Sequence, residues 1–225
     1  MTTGSLPDRL TAVRTAVSDA AREAGRTESE ITTIVVTKFH PAGLVRELSA
    51  LGVRDFGENR HQEASTKAAE VADLDLLWHF VGQLQSKKAR QARSYAGVIH
   101  SLDRESVIDA LASSGAVIDG FVQLNLTDDP GRGGVQAGDL EKIAERVIAT
   151  EGVRLLGVMA VAPIEEEPRR AFERVRMASE RLVAIDPAAR FISAGMSGDF
   201  REAILEGATH LRIGSAITGN RVGPG

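Results

Sequence analysis

The feature that most constrains the fold of this chain is an alternation of strand-like and helix-like segments, repeated eight times along 225 residues. Each strand-like run is short and rich in apolar or β-branched residues, and a turn and a segment of helical spacing follow it. The predicted strands span residues 31–38, 54–57, 76–81, 97–101, 118–126, 153–161, 190–193 and 210–213. The predicted helices between them span residues 41–51, 60–71, 86–92, 104–114, 139–150, 165–185 and 200–206.

This alternation implies parallel strands joined by crossover helices, and eight is the number of strands that closes a barrel. The sequence therefore predicts an α/β fold, a single (β/α)8 TIM barrel domain over residues 1–225. An open doubly wound sheet is the alternative, because the second and seventh predicted strands are short.

An extra amphipathic segment precedes the first strand. It predicts a helix over residues 7–25 that places Leu10, Val13 and Val17 on one face and ends at a glycine. The sequence ends soon after the eighth predicted strand, so no full eighth helix is expected there. We expect the leading helix to take that vacant place on the barrel wall.

The composition argues against several classes of function. A net charge of −4 gives no electrostatic footprint for nucleic acid or for an anionic membrane surface. The absence of cysteine excludes disulfides, thiolate catalysis and cysteine-ligated zinc. The first residues lack a signal-peptide pattern, and no apolar run reaches the ~20 residues that span a bilayer. We expect a soluble cytoplasmic protein and, without a second domain, a monomer.

Lys38 closes the first predicted strand, just before Phe39-His40-Pro41 breaks the extended pattern. In (β/α)8 barrels the carboxyl ends of the strands carry the ligand-binding residues, whereas the opposite face serves stability. A lysine held against apolar walls loses hydration of its charged form, which makes the neutral amine more available to attack a carbonyl carbon. Lys38 is therefore a candidate nucleophile, and a solvated lysine is the plainer interpretation of this stretch alone.

Further polar groups follow other predicted strands: Asn59, Ser197 with Gly198, and Gly214 with Ser215. The loops after strands seven and eight are the usual phosphate-binding region of this barrel class. Backbone N–H groups at the two helix starts there could face one anion, and serine adds a hydroxyl donor. Each group alone is an ordinary helix cap. Their convergence with Lys38 predicts a ligand-binding site at the carboxyl ends of the strands.

A phosphate-binding loop opposite a nucleophilic lysine predicts a phosphorylated carbonyl ligand. Pyridoxal 5′-phosphate (PLP) and a sugar-phosphate aldolase substrate both meet this description. Arg212 favours PLP, because it lies two residues before Gly214 and could face the pyridine nitrogen. A guanidinium there would keep that nitrogen unprotonated and weaken the electron sink that most PLP enzymes use.

Six groups of residues form a motif set that runs through nearly the whole chain. They are Val36-Thr-Lys38; Phe56-Gly-Glu-Asn59 with Gln62-Glu63; Trp78-His-Phe-Val-Gly82 with Leu84-Gln-Ser86 and Lys88; Gly157-Val-Met-Ala160; Gly195-Met-Ser197 with Asp199; and Arg212-Ile-Gly214. In this order they resemble the pyridoxal phosphate homeostasis proteins. The departures are Lys87, where the family usually has Asn, Ser215, where Thr is usual, and Thr218, where an aromatic residue is common.

This resemblance implies a barrel related to the N-terminal domain of alanine racemase, with PLP as a Schiff base on Lys38 and without established catalysis. It implies Arg212 near the pyridine nitrogen and Ser197, Gly214 and Ser215 around the phosphate. It also implies delivery of PLP to apo PLP-dependent enzymes and a role in amino-acid homeostasis. His79 and Met196 are further candidates for the cofactor pocket, and each is otherwise a core residue.

Two enzymatic alternatives follow from particular residues. Gly195-Met-Ser-Gly-Asp199 is close to the nucleophile elbow of serine hydrolases, but Asp199 stands where a small residue is needed. A PLP-dependent amino-acid racemase is the stronger rival, and racemisation needs an acid–base group on each face of the substrate. The single tyrosine, Tyr95, is expected on the wrong face of the barrel, which favours a carrier.

Overall fold

Eight short runs of apolar and β-branched residues form the inner wall of the protein in a computed structural model, which describes residues 4–129 and 131–219. The strands are β1 Thr32–Val36, β2 Asp55–Glu58, β3 Leu77–Phe80, β4 Val98–Leu102, β5 Ile118–Leu124, β6 Val153–Ala160, β7 Phe191–Ser193 and β8 His210–Ile213. Each strand pairs in parallel with the next, and β8 pairs with β1 to close the barrel. The predicted (β/α)8 fold is confirmed, and the open sheet is wrong.

Helices cover the outside of this barrel. They are α1 Leu6–Glu23, α2 Ala42–Ala50, α3 His61–Glu70, α4 Ser86–Ala92, α5 Glu105–Leu111, α6 Leu140–Ile148, α7 Pro168–Ile185, α8 Phe200–Leu205 and the single turn α9 Ser215–Thr218. The helix α7 begins at Pro168 rather than at the predicted residue 165. The Glu167 carboxylate accepts hydrogen bonds from the N–H groups of Arg169 and Arg170, and proline suits a first helical position.

The leading helix α1 lies between α8 and α2, where an eighth barrel helix would stand. On one side the Glu23 carboxylate pairs with Arg201 of α8, and on the other Arg14 donates to the carbonyl of Leu51 at 3.2 Å. Arg9 donates to the carbonyl of Ile217 in α9 at 2.7 Å. The expected placement of this helix is confirmed.

Within the part of the chain that the structure describes, two apolar regions stabilise the fold. The larger one lies between the strands and the helices, and the smaller one fills the barrel interior with Val98, Phe121 and Met159. The Phe121 ring contacts the rings of His100 and His210 at centroid distances of 4.7 and 5.1 Å, so these two histidines also face inwards. Within the described residues, no helix is both long and apolar enough to cross a membrane.

Candidate functional site

The carboxyl ends of β1, β2, β7 and β8 bring most of the candidate residues to one end of the barrel, which we call the barrel mouth. Lys38 and Asn59 follow β1 and β2, which pair at Val36 and Gly57. Gly214 follows β8, and a Cβ atom placed on it would lie 3.4 Å from the Val36 carbonyl oxygen. The loops after the first and last strands are therefore neighbours across the barrel closure.

Lys38 is half-buried in a tight turn, residues 37–39, that we call the Lys38 turn. Phe39 has a φ of 67°, a left-handed conformation that is unfavourable for a side chain of this size. The Phe39 N–H group donates to a carboxylate oxygen of Glu63, and the Thr37 hydroxyl donates to Glu58 at 2.7 Å. Acidic side chains from β2 and α3 thereby hold the two residues that flank Lys38, through the Thr37 hydroxyl and the Phe39 backbone N–H group.

A buried lysine completes this support. The Lys67 ammonium donates to the Thr37 carbonyl at 2.9 Å and pairs with Glu58 and Glu63. Burial raises the pKa of the Glu58 carboxyl, and the contact with Lys67 opposes that shift. The cluster of Thr37, Glu58, Glu63 and Lys67, which we call the anchor cluster, was not assigned any function from the sequence.

Arg212 projects into the barrel from β8 and is 5% exposed. Its guanidinium donates to the Ser193 hydroxyl at 2.6 Å and to the Ala160 carbonyl at 2.8 Å. Burial lowers the pKa of Arg212 to about 10, and the charge of Asp199 opposes the shift. Arg212 is therefore a cation at pH 7 whose orientation two hydrogen bonds fix.

The segment of residues 195–199, the serine loop, faces the start of α9. The Ser197 hydroxyl accepts from the Ala216 N–H group at 3.3 Å and lies 3.5 Å from the Ser215 hydroxyl. The Asp199 carboxylate accepts from the Met196 N–H group at 2.6 Å. Two hydroxyl groups from separate strand ends thus meet at one place, as the sequence predicts for a phosphate site.

The other candidates differ in their surroundings. The Asn59 side-chain oxygen is buried, and no donor of the described residues lies within hydrogen-bonding distance. Met196 is 38% exposed, and a Cβ atom on Gly198 would meet no atom within 4 Å. This open space beside the serine loop and the unpaired amide oxygen are features that a polar ligand would complete.

His79 is not free to bind a ligand through its ring nitrogens. Nε2 lies 3.0 Å from the Asp55 carboxylate, and Nδ1 lies 3.0 Å from Nε2 of His100. On the far side, Nδ1 of His100 lies 2.8 Å from the Ser193 hydroxyl. The structure thus places His79 in a hydrogen-bonded group inside the barrel, because both of its ring nitrogens already have protein partners.

Comparison with known proteins identifies the family of this barrel. A family model described as "Alanine racemase, N-terminal domain" matches residues 9–222. The pyridoxal phosphate homeostasis protein of Mycobacterium leprae is 37% identical, and the match covers 93% of this chain and 90% of the relative. The chain belongs to the pyridoxal phosphate homeostasis protein family. Its relative from Pseudomonas aeruginosa is also 37% identical, with 96% of each chain covered.

Solved structures extend the comparison of this family member to three dimensions. PipY of Synechococcus elongatus, solved with PLP bound, has a TM-score of 0.80 and 32% identity, and the match covers 96% of this chain and 100% of PipY. Alanine racemase of Corynebacterium glutamicum has a TM-score of 0.69 at 16% identity and is covered over 63% of its length. The second likeness shows a shared barrel fold alone.

Proposed function

We propose that this protein binds PLP as a Schiff base on Lys38. It serves in PLP and amino-acid homeostasis as a non-catalytic carrier built on a single barrel, and it supplies PLP to apo PLP-dependent enzymes. PLP binding and a homeostatic role agree with the names of the relatives and with the PLP-bound PipY structure. The observation that carries the proposal is the convergence at the barrel mouth of one half-buried amine, one buried guanidinium and two paired hydroxyls.

The polar groups of PLP have suitable partners among these residues and Asn59. The Lys38 amine can attack the aldehyde carbon, and the carbonyl oxygen leaves as water when the C=N bond forms. Arg212 suits the pyridine nitrogen, and Ser197 and Ser215 suit the phosphate. The unpaired buried side-chain oxygen of Asn59 accepts hydrogen bonds and suits the phenolic hydroxyl of PLP before the imine forms.

The anchor cluster supports the role of Lys38 specifically. A flexible lysine side chain attacks a carbonyl efficiently only when its backbone is held near the reacting position. Thr37 and Phe39 are bonded to Glu58, Glu63 and Lys67, so the backbone on both sides of Lys38 is held while its own side chain is left for chemistry.

Arg212 argues for holding PLP rather than turning over a substrate. PLP enzymes stabilise a substrate carbanion best when the pyridine nitrogen is protonated. A permanent cation bonded to Ser193 and to the Ala160 carbonyl can donate to this nitrogen but cannot accept a proton from it. The nitrogen therefore stays unprotonated, which weakens catalysis and leaves binding intact.

A PLP-dependent racemase is the alternative function. It requires a second acid–base group opposite Lys38. The single tyrosine, Tyr95, is bonded through its hydroxyl to Nδ1 of His61 at 3.2 Å, between α3 and α4. Burial also raises the pKa of the Tyr95 hydroxyl, so less of the phenolate that could accept a proton is present at neutral pH. These observations favour the carrier.

The test is an absorbance scan of the purified protein with PLP, followed by borohydride reduction and peptide mass mapping. We expect the visible band of a protonated imine and a single reduced adduct on Lys38. An adduct spread over exposed lysines such as Lys87 would reject the proposed site. Racemisation of an amino acid well above the rate of free PLP would favour the alternative function.

A further inference from the structure

A continuous path of hydrogen bonds crosses the barrel interior from Arg212 to Asp55. Arg212 donates to Ser193 at 2.6 Å, and the Ser193 hydroxyl lies 2.8 Å from Nδ1 of His100. His100 and His79 are joined at 3.0 Å, and His79 meets the Asp55 carboxylate at 3.0 Å. We call these five side chains, from β8, β7, β4, β3 and β2, the interior relay.

The two ends of the interior relay fix the direction of every bond between them. The Arg212 guanidinium only donates, and an ionised Asp55 carboxylate only accepts. With neutral rings, His79 must donate from Nε2 to Asp55, and His100 must donate from Nε2 to Nδ1 of His79. The Ser193 hydroxyl then donates to Nδ1 of His100 while it accepts from Arg212, so each donor meets one acceptor.

The opposite direction of hydrogen bonding, with a cationic His79, leaves one donor without an acceptor. If His79 were a cation, both of its nitrogens would donate, and His100 would have to donate from Nδ1 to Ser193. The Ser193 oxygen would then receive two N–H groups, and its own proton would have no acceptor among the described residues. Burial, with the neighbouring His79 and then the charge of Arg212 adding to it, also lowers the pKa of His100 well below its usual range.

The fixed direction of these hydrogen bonds stabilises the positive charge of Arg212. Its guanidinium is buried, and a buried cation without aligned acceptors is costly. In the interior relay each dipole points its negative end towards Arg212, and the negative charge of Asp55 lies at the far end. The arrangement stabilises the cation and holds it in one rotamer.

We propose that Ser193, His100, His79 and Asp55 are positioning residues for Arg212, which they orient towards the ring nitrogen of PLP at the barrel mouth. This inference rests on the proposed function for the identity of the ligand. The hydrogen-bond direction within the relay does not depend on the ligand, and it is tested separately.

The first test uses the ligand-free protein labelled with ¹⁵N at histidine. We expect one-bond ¹⁵N–¹H coupling at Nε2 of both His79 and His100 and a bare Nδ1 in each ring at pH 7. A protonated Nδ1 atom in either ring would contradict the inferred direction of hydrogen bonding in the interior relay.

The second test compares two buried serines of the barrel. Ser193→Ala removes the link between Arg212 and His100, whereas Ser101→Ala removes a buried hydroxyl that has no partner among the described residues. We expect PLP to leave the Ser193→Ala protein about tenfold faster, a ratio equivalent to ~1.4 kcal/mol, and its visible absorption band to shift. Ser101→Ala should change the release rate by less than about twofold.

The two tests distinguish a failure of the positioning role from a failure of the proposed function. Identical release rates and spectra for the two serine variants would overturn the positioning role. A merely structural role of Ser193 would change the unfolding midpoint and leave the absorption band in place, which would also overturn it. If the histidines show the expected tautomers and no adduct maps to Lys38, the relay stands and the proposed function fails.

Discussion

The ammonium group of Lys67 lies 2.9 Å from the backbone carbonyl oxygen of Thr37, so a buried cation on α3 holds the turn that carries Lys38. Lys67 is 4% exposed and also pairs with Glu58, which is 1% exposed. A buried ion pair need not add much net stability, but removing one partner leaves an uncompensated charge in the core. The anchor cluster is therefore sensitive to single substitutions.

Lys67→Met should lower the free energy of unfolding by about 3–5 kcal/mol, because Glu58 loses the cation that balances its charge. The matched control is Lys142→Met, which removes an ion pair with Glu105 whose side chains are 70% and 50% exposed. Its expected loss is ~0–1 kcal/mol. Urea unfolding measures both, and equal losses would contradict the prediction. Adding Glu58→Gln to Lys67→Met should recover part of the loss.

Lys38→Ala should abolish the reducible PLP adduct and leave the free energy of unfolding within about 0.5 kcal/mol of wild type. The Lys38 side chain forms no hydrogen bond or ion pair within residues 4–129 and 131–219, so its removal leaves no buried partner. Mass mapping after borohydride reduction and urea unfolding measure the two effects. A cooperative loss of structure in Lys38→Ala would show that Lys38 is structural.

Much of the fold was predictable, because strand and helix periodicities are local. The predicted residues 86–92 and 210–213 coincide with α4 and β8. The position of Lys38, Asn59, Ser197 and Ser215 at one end was also predictable, since parallel strands in a closed barrel place their carboxyl ends together.

The contacts beneath the barrel mouth were not predictable in the same way. Lys67 lies in a polar helix, so the sequence alone predicts a solvated side chain. Its burial depends on how α3 packs over β2. His100 and Ser193 are 93 positions apart and meet only because β4 and β7 face each other across the interior. In the sequence, the feature that indicates this hydrogen-bonded network is the polar character of His79, His100 and Ser193 within otherwise apolar strands.

Arg212→Gln should release PLP at least about tenfold faster than wild type and alter its absorption spectrum. Glutamine retains a neutral donor but loses the charge and the paired geometry towards Ser193 and the Ala160 carbonyl. Stopped-flow release and a visible spectrum measure these effects. Wild-type retention together with a wild-type spectrum would remove Arg212 from the site.

Gly195→Ala should destabilise the protein by about 2 kcal/mol or more, whereas Gly198→Ala should be nearly neutral. Gly195 has a φ of 92°, and an added Cβ atom would lie 2.8 Å from Cβ of Ala203. An added Cβ atom on Gly198 would meet nothing within 4 Å. Thermal unfolding compares the two glycines, which lie in the same loop. Equal stability of the two variants would show that the backbone around Gly195 adjusts without strain.

The protein should lose stability as the pH falls from about 6.5 towards 4, because burial lowers the pKa of His210 to about 4 from its usual 6.5. The unfolded chain takes up the proton first, so the contribution of His210 is complete above pH 6.5 and is lost as the pH falls through the folded-state pKa. This contribution is at most about 3 kcal/mol. Urea unfolding from pH 7 to 4.5 should show a shallower decline for His210→Gln than for wild type, since glutamine does not titrate. Parallel declines for the two proteins, or an NMR titration of His210 near pH 6.5 in the folded state, would contradict this assignment.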